Sequence, residues 1–295
     1  MPMAAHVIEA KDFKSEIPPD WCAGCGDFSV LSGMFQACAD LGLEPANVMV
    51  VSGIGCSSNL PGFFRSYGVH SLHGRALPFA TGAKLANTSI TVIATGGDGD
   101  GYGLGLNHFI QTMRRNIDVT YIVMNNEIYG LTTGQVSPTS ETGMKTKTTP
   151  LGNLEGMLNP LALALASGCD FVARGFSGQP KQLVELYKKG IQHKGFAFID
   201  VLSPCVTFNK VNTYPWFRER VYKVEDTGYD PTDFHDAMDK ALEWADKIPI
   251  GLIYSNPSPR SSIDSLDPAL QGDPLVHQDY DNGSVTRQEL IREFM

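Results

Sequence analysis

Two short polar motifs follow apolar runs at a spacing that suits a metal ion and a phosphate. Gly97-Asp98-Gly99 comes just after the run TVIAT (91–95), and the next run, VTYIVM (119–124), leads into Asn125-Asn126. The carboxyl ends of neighbouring parallel strands share one sheet edge, where open α/β sheets bind ligands. A carboxylate and an amide oxygen suit Mg²⁺, and glycine lets the backbone approach a phosphate. Together the motifs predict a magnesium and phosphate site, although each half alone is more often a plain turn.

Four of the six cysteines stand where thiols could share one site. Cys22 and Cys25 form a C-x-x-C, Cys56 lies in a glycine-rich loop after an apolar run, and Cys205 follows another such run. Four converging thiolates bind either a [4Fe–4S] cluster or Zn²⁺. A thioredoxin-like dithiol is disfavoured because Ile17-Pro-Pro-Asp20, and not a strand, precedes the C-x-x-C. The other two, Cys38 and Cys169, are expected to be buried, inert thiols.

The elements that would position these residues alternate between helix and strand, which is typical of an α/β fold with a parallel sheet. Strands are predicted at 48–52, 91–95, 119–124, 170–173 and 197–202, and helices at 27–41, 80–88, 105–115, 160–167 and 180–193. The segment 127–158 has no clear periodicity and is long enough for us to expect that it covers a ligand.

After residue 202 the α/β layer is expected to end. One amphipathic helix is predicted at 231–246, followed by a Pro/Ser/Asp-rich segment at 255–284 that is either a flexible tail or an arm clasping another subunit. We therefore expect a binding domain over 1–230, and a C-terminal helix with an extended arm over 231–295.

Composition limits the partners. The 295 residues carry a net charge of −9 without a basic stripe, which argues against nucleic acid. No apolar run approaches a membrane span, and the first residues lack the apolar core of a secretion signal, so we expect a cytoplasmic protein that binds no membrane. A charged fraction of only 19% beside 30 glycines indicates a surface partly covered by a partner.

The spacing of GDG and NN, with Ile128 two residues after Asn126, resembles the thiamine diphosphate motif. That resemblance implies Mg²⁺ held by Asp98, by Asn126 and by the main-chain carbonyl of Ile128. Over most of residues 18–210 the chain also resembles the thiamine diphosphate-binding β subunit of 2-oxoacid:ferredoxin oxidoreductases, particularly the 2-oxoglutarate type. The motifs that carry this resemblance are WCAGCGDFSVL, SGIGCSSNLPGFF, HGRALPFATGAKLAN, GGDGDGYGLGLNHFIQTMRRN and NNEIYGLTTGQVSPTS.

The resemblance implies roles for individual residues. Cys22, Cys25, Cys56 and Cys205 would ligate one [4Fe–4S] cluster, which favours iron over zinc. Contacts to thiamine diphosphate would come from Ile54, Gly55, Cys56, Ser57, His73, Gly99, Asp100, Gly130 and Leu131, with Gly97 beside the phosphate. Thr133 stands where many relatives carry lysine, which removes a fixed positive charge and leaves the substrate range open.

The implied activity is the coenzyme A-dependent oxidative decarboxylation of 2-oxoglutarate to succinyl-CoA and CO₂, or its reverse, with electrons passing through the cluster to ferredoxin. No carboxylate of this chain can be assigned to activate the cofactor, so no catalytic residue is predicted here and an α subunit in an α₂β₂ assembly is expected to supply one. The alternatives are a relative acting on pyruvate or on a branched or aryl 2-oxoacid and, more remotely, a non-catalytic assembly subunit stapled by zinc.

Overall fold

The computed structural model describes residues 7–278, 289 and 291–292, and one twisted sheet organises them. The strands are β1 Val48–Ser52, β2 Tyr67–His70, β3 Thr91–Gly97, β4 Thr120–Asn125, β5 Phe171–Phe176, β6 Ala197–Leu202, β7 Val221–Lys223 and β8 Ile248–Ser255. Their order across the sheet is β2-β1-β3-β4-β6-β5-β8-β7, and β1 to β6 pair in parallel. The predicted α/β class with a parallel sheet is confirmed.

Helices cover both faces of this sheet. They are α1 Asp27–Asp40, α2 Leu60–Phe63, α3 Ala76–Ala86, α4 Leu106–Arg115, α5 Pro160–Ala166, α6 Pro180–Gln192, α7 Tyr214–Arg218, α8 Phe234–Leu242 and α9 Ile263–Leu266. On one face, α1 and α6 enclose a core that contains Val50; on the other, α3, α4, α5 and α8 enclose a core that contains its neighbour Val51. Strands covered on both faces read as continuous apolar runs, which explains why the sequence signal for β1, β3, β4 and β6 was clear.

The α/β layer does not end after residue 202, so that expectation is wrong. Strand β8 pairs antiparallel with β5, and β7 pairs in parallel with β8, so the sheet runs across the division predicted at residue 230. The run IPIGLIYS is broken by Pro249 and by Gly251, which has a φ of +131°. Because of these two residues the strand was not predicted, since proline and glycine normally argue against a strand interior.

The segment after β8 packs against the helices of the same chain. The Arg260 side chain donates to the Asp170 carboxylate and to main-chain carbonyls near the ends of α4 and α5. Residues 275–277 contact α3. Of the predicted segment 255–284, residues 279–284 lie outside the described residues, and clasping of another subunit stays a prediction. Within the described part of the chain, no helix is both long and apolar enough to cross a membrane.

Candidate active site

The loops that follow β1, β3, β4 and β6 meet at the carboxyl edge of the sheet and enclose two adjoining cavities. The first, which we call the motif cavity, has a volume of about 70 Å³ and is lined by Ile54, Gly55, Cys56, His73, Gly97, Asp98, Gly99, Asp100, Asn126, Ile128, Tyr129, Gly130, Leu131 and Thr132. The structure thus brings together the three residues predicted to hold magnesium and all but one of the predicted cofactor contacts. The exception is Ser57, which is buried and lines neither cavity.

Asp98, directly after β3, is the one carboxylate of the predicted magnesium set. It is 1% exposed, and its Oδ2 accepts hydrogen bonds from Ser137 at 2.5 Å and from Thr139 at 2.6 Å. Burial raises the pKa of Asp98 to about 6, although these hydroxyls favour the charged form and limit the rise. A cation beside the Asp98 carboxylate would offset the free-energy cost of burying its charge.

The segment 137–140 comes from the long loop between β4 and α5, which carries no regular helix or strand among its described residues. Ser140 donates to the main-chain carbonyl of Glu127, so the loop folds back onto the residues that follow β4. Burial raises the pKa of Glu127 well above its usual range, and nearby acidic groups add to the rise. Burial therefore disfavours the charged form of the Glu127 carboxyl.

Asp100 braces the loops around the motif cavity. Its Oδ1 accepts hydrogen bonds from the backbone N–H of Ile54 at 2.8 Å and of Gly74 at 2.7 Å, and His73 Nδ1 lies 3.1 Å away. A β-carbon at Gly53 would come within 1.8 Å of the Asp100 carboxylate, so only glycine fits there. Asp100 therefore joins the loops after β1, β2 and β3.

Tyr129 forms one wall of the motif cavity and was not singled out in the sequence. Its hydroxyl donates to the main-chain carbonyl of Gly99 at 2.9 Å, and a β-carbon at Gly99 would lie 2.2 Å from its ring. The Tyr129 ring thus occupies the space that a side chain at Gly99 would need. At Gly55, with a φ of +133°, a β-carbon would meet nothing within 4 Å, so its backbone is open to an incoming group.

The second cavity, which we call the thiol cavity, has a volume of about 210 Å³ and contains all four predicted cluster ligands. It is lined by Asp20, Trp21, Cys22, Cys25, Gly55, Cys56, Asn59, Asn126, Gly130, Leu131, Cys205, Val206, Thr207 and Phe208. Cys22 is exposed, whereas Cys205 is buried. Among the described residues, no three His, Cys, Asp or Glu side chains converge closely enough to hold a single metal ion.

Burial makes two of these four thiols weaker acids. Burial raises the pKa of Cys56 to about 12, and the nearby Asp27, Cys205 and Cys22 raise it further. Burial likewise raises the pKa of Cys25. Clustered thiolates become stable only beside positive charge, so the cavity suits a metal group that supplies it.

Trp21 joins two of the segments that carry the thiols. Its indole N–H donates to the main-chain carbonyl of Cys56 at 2.6 Å. Its ring packs edge-on against Phe28 and Phe63, with centroids 5.3 and 5.2 Å away. Trp21 therefore holds the C-x-x-C segment against the Cys56 loop.

The two cavities share a wall. Five residues line both, namely Gly55, Cys56, Asn126, Gly130 and Leu131. At Gly130 the wall has no side chain, and a β-carbon there would lie 3.3 Å from Cys56 Sγ and 3.7 Å from Cys205 Sγ. A group in the motif cavity and a group in the thiol cavity would therefore be immediate neighbours.

The remaining residues singled out in the sequence are Thr133, Cys38 and Cys169. Thr133 is exposed, with a φ of +74°, and its N–H donates to the carbonyl of Gly130. Cys38 and Cys169 are buried, as predicted, and burial raises the pKa of each to about 12. Trp21, Tyr129, Ser137 and Thr139 were missed, because their roles depend on contacts between distant loops that no spacing reveals.

Two protein-family models match the chain. Residues 47–201 match the thiamine pyrophosphate enzyme C-terminal TPP binding domain, and residues 205–269 match the C-terminal family of the pyruvate ferredoxin oxidoreductase β chain. The first match spans β1 to β6 and the motif cavity, and the second begins at Cys205.

Known proteins are similar over most of the chain. A 2-oxoacid:ferredoxin oxidoreductase subunit β of Saccharolobus solfataricus is 52% identical, covering 80% of this chain and 82% of the relative. The 2-oxoglutarate oxidoreductase subunit KorB of Mycobacterium tuberculosis is 45% identical, covering 71% of this chain and 56% of the relative. The solved 2-oxoglutarate:ferredoxin oxidoreductase of Magnetococcus marinus, with 2-oxoglutarate, coenzyme A and succinyl-CoA bound, superimposes with a TM-score of 0.84 at 43% identity, covering 88% of both chains. The chain belongs to the β subunits of the 2-oxoacid:ferredoxin oxidoreductases.

Proposed function

We propose that this chain is the β subunit of a 2-oxoglutarate:ferredoxin oxidoreductase, which converts 2-oxoglutarate and coenzyme A to succinyl-CoA and CO₂ or runs in reverse. The observation that carries the proposal is the wall shared by the two cavities. It would place an electron-accepting cluster directly beside the cofactor that releases the electrons.

The motif cavity fits the diphosphate end of thiamine diphosphate with Mg²⁺. Asp98, Asn126 and the carbonyl of Ile128 would hold the metal, since hard oxygens suit it. At Gly97 a β-carbon would meet nothing closer than 4.0 Å, which leaves room for the diphosphate, and Asp100 keeps the loops in place. When bound, thiamine diphosphate supplies the carbanion chemistry of decarboxylation, and the protein contributes binding, orientation and the exclusion of water.

The thiol cavity fits a [4Fe–4S] cluster better than zinc. A zinc ion holds its thiolates at about 2.3 Å, so the sulfurs must converge on one point. A four-iron cluster instead fills the space between more widely separated thiolates. Four cysteines around a cavity of about 210 Å³, without three acidic or thiol groups converging on one ion among the described residues, support the cluster.

The cofactor needs a second chain. Ligand pockets usually measure about 300–1,000 Å³, whereas the motif cavity measures about 70 Å³ and so holds only one end of thiamine diphosphate. We infer that an α subunit encloses the rest and supplies the activating carboxylate, in an α₂β₂ complex. Ferredoxin would accept the electrons, and we place the complex in the cytoplasm, where thiols stay reduced.

The substrate assignment rests on relatives. The solved relative from Magnetococcus marinus held 2-oxoglutarate and coenzyme A, and the KorB relatives are named for 2-oxoglutarate. Other relatives carry the broader name 2-oxoacid:ferredoxin oxidoreductase, so pyruvate or a branched or aryl 2-oxoacid is the second candidate. Thr133, the residue after Thr132 of the motif cavity, cannot supply the positive charge of a lysine to an acidic substrate.

The deciding experiment is the visible and EPR spectrum of the complex, purified without oxygen with its α partner, before and after 2-oxoglutarate and coenzyme A are added. We expect the absorbance near 400 nm to bleach and a reduced-cluster signal to appear, with pyruvate as the control substrate. A response to pyruvate alone would transfer the assignment to the second candidate. A colourless protein that contains zinc would refute electron transfer.

A further inference from the structure

The loop that carries Cys205 is held to the rest of the site by one buried side chain, Asn209. This residue is 1% exposed, and its Oδ1 accepts hydrogen bonds from the backbone N–H groups of Val211 and Asn212, both at 2.9 Å. These two bonds close a tight turn. The side-chain oxygen is thus used within the loop, which leaves the amide nitrogen to reach outward.

The amide nitrogen of Asn209 reaches the magnesium motif. Its Nδ2 donates to the main-chain carbonyl of Asn126 at 3.0 Å, so the peptide that carries a proposed metal ligand is held from behind. Asn126 also lines both cavities. A second hydrogen bond also joins this loop to the long loop after β4, because the Asn212 side chain donates to Glu141 Oε1 at 3.0 Å.

The other end of the loop carries a proposed cluster ligand. The backbone N–H of Phe208 donates to Cys205 Sγ at 3.4 Å. Cys205 Sγ and Asn126 Nδ2 lie 3.7 and 3.8 Å from the same point, the β-carbon position of Gly130. One loop therefore carries the Cys205 thiol and contacts the main chain of Asn126, where the two cavities meet.

We propose that Asn209 is a positioning residue for both groups: its amide keeps Asn126 turned toward the metal and keeps the Cys205 thiol in place on the cluster. This inference rests on the proposed function. Removing a side chain that orients a metal ligand typically lowers metal affinity by about 10–100-fold. Here one substitution disturbs two cofactors at once.

The test uses two variants in the complex with the α partner. Asn209→Asp keeps the oxygen that closes the turn but removes the donor to Asn126, and Asn209→Ser removes the donor without adding charge. Asn116→Ser is the matched control, since Asn116 is also buried, donates from Nδ2 to the main-chain carbonyl of Arg260 and accepts from the N–H of Phe196, but lines neither cavity.

Both cofactors are measured: the dissociation constant of thiamine diphosphate with Mg²⁺ by calorimetry, and the EPR spectrum and midpoint potential of the cluster. We expect both Asn209 variants to bind the cofactor at least about tenfold more weakly and to show a shifted cluster signal, with Asn116→Ser unchanged in both. A variant that assembles but changes only one cofactor, or neither, overturns the inference. If the aspartate variant does not assemble, the serine variant decides alone. Wild-type complex that lacks either cofactor would refute the proposed function instead.

Discussion

At the scale of single residues, Trp21 determines how firmly the thiol cavity is held together. Trp21→Phe keeps the ring on Phe28 and Phe63 but loses the hydrogen bond to the Cys56 carbonyl. One such bond contributes about 0.5–1.5 kcal/mol. We therefore expect iron to leave the complex about two to ten times faster under a chelator, followed by absorbance near 400 nm. Trp216→Phe, remote from both cavities, is the control, and equal rates for the two variants would contradict this role.

Gly53 is a second residue whose identity the site requires. A β-carbon there would overlap the Asp100 carboxylate, so Gly53→Ala must displace the brace that holds Ile54 and Gly74. Small misplacements in a binding site cost large factors, and we expect thiamine diphosphate to bind about tenfold or more weakly in calorimetry.

Gly62→Ala provides the comparison, because Gly62 has open space around it in the short helix α2. Its cofactor affinity should match the wild type. A Gly53→Ala variant with normal affinity would show that the Asp100 brace is dispensable.

How far the sequence reveals the site can be judged from the same residues. Asp98, Asn126 and the cysteines could be found because their types and spacing are themselves the chemistry. Asn209 and Ser137 could not, since each acts through a contact with a loop that is distant in the sequence. The sequence showed that Thr133 departs from the lysine of many relatives, but it did not show that Thr133 has a left-handed backbone conformation.

At the scale of elements, the buried parallel strands were predictable and the peripheral ones were not. Strand β2, with mostly exposed residues, lacks the apolar run that marks β1 or β3. Strand β8 contains proline and glycine, and at Gly251 a β-carbon would strike the Glu225 carboxylate. Strands at the edge of a sheet or next to it depend more on local packing than on an apolar run, so the sequence pattern alone underestimates the width of the sheet.

The segment after β8 is fastened to the sheet by Arg260. Its Nε and backbone N–H both donate to Asp170 Oδ2, at 3.1 and 3.0 Å, and Asp170 is 2% exposed. Arg260→Ala would leave a buried carboxylate with fewer partners, so we expect the free energy of unfolding to fall by about 1–3 kcal/mol. Urea unfolding of the purified chain measures this loss, with Lys181→Ala on the exposed side of α6 as the control. A change below the error of the fit would mean that the segment adds nothing to stability.

At the scale of the whole molecule, three exposed apolar side chains lie in or beside the loops whose residues line the motif cavity. Leu131 lines the cavity at 58% exposure, and Leu72 and Leu104 are 75% and 61% exposed. The last two belong to one surface, since the turn at Gly74 packs directly against Leu104. Apolar side chains grouped around a site mark a surface that a partner covers.

We therefore expect Leu104→Asp to weaken binding of the α subunit, because the new charge would lose its water where the two surfaces meet. A loss of about 1.4 kcal/mol corresponds to a tenfold larger dissociation constant, which sedimentation of mixtures of the two subunits can measure. Leu266→Asp is the control, as Leu266 is 63% exposed on α9 and lines neither cavity. If both variants assemble equally well, the α subunit does not cover this edge of the sheet, and the carboxylate that completes the cofactor site must reach it from another direction.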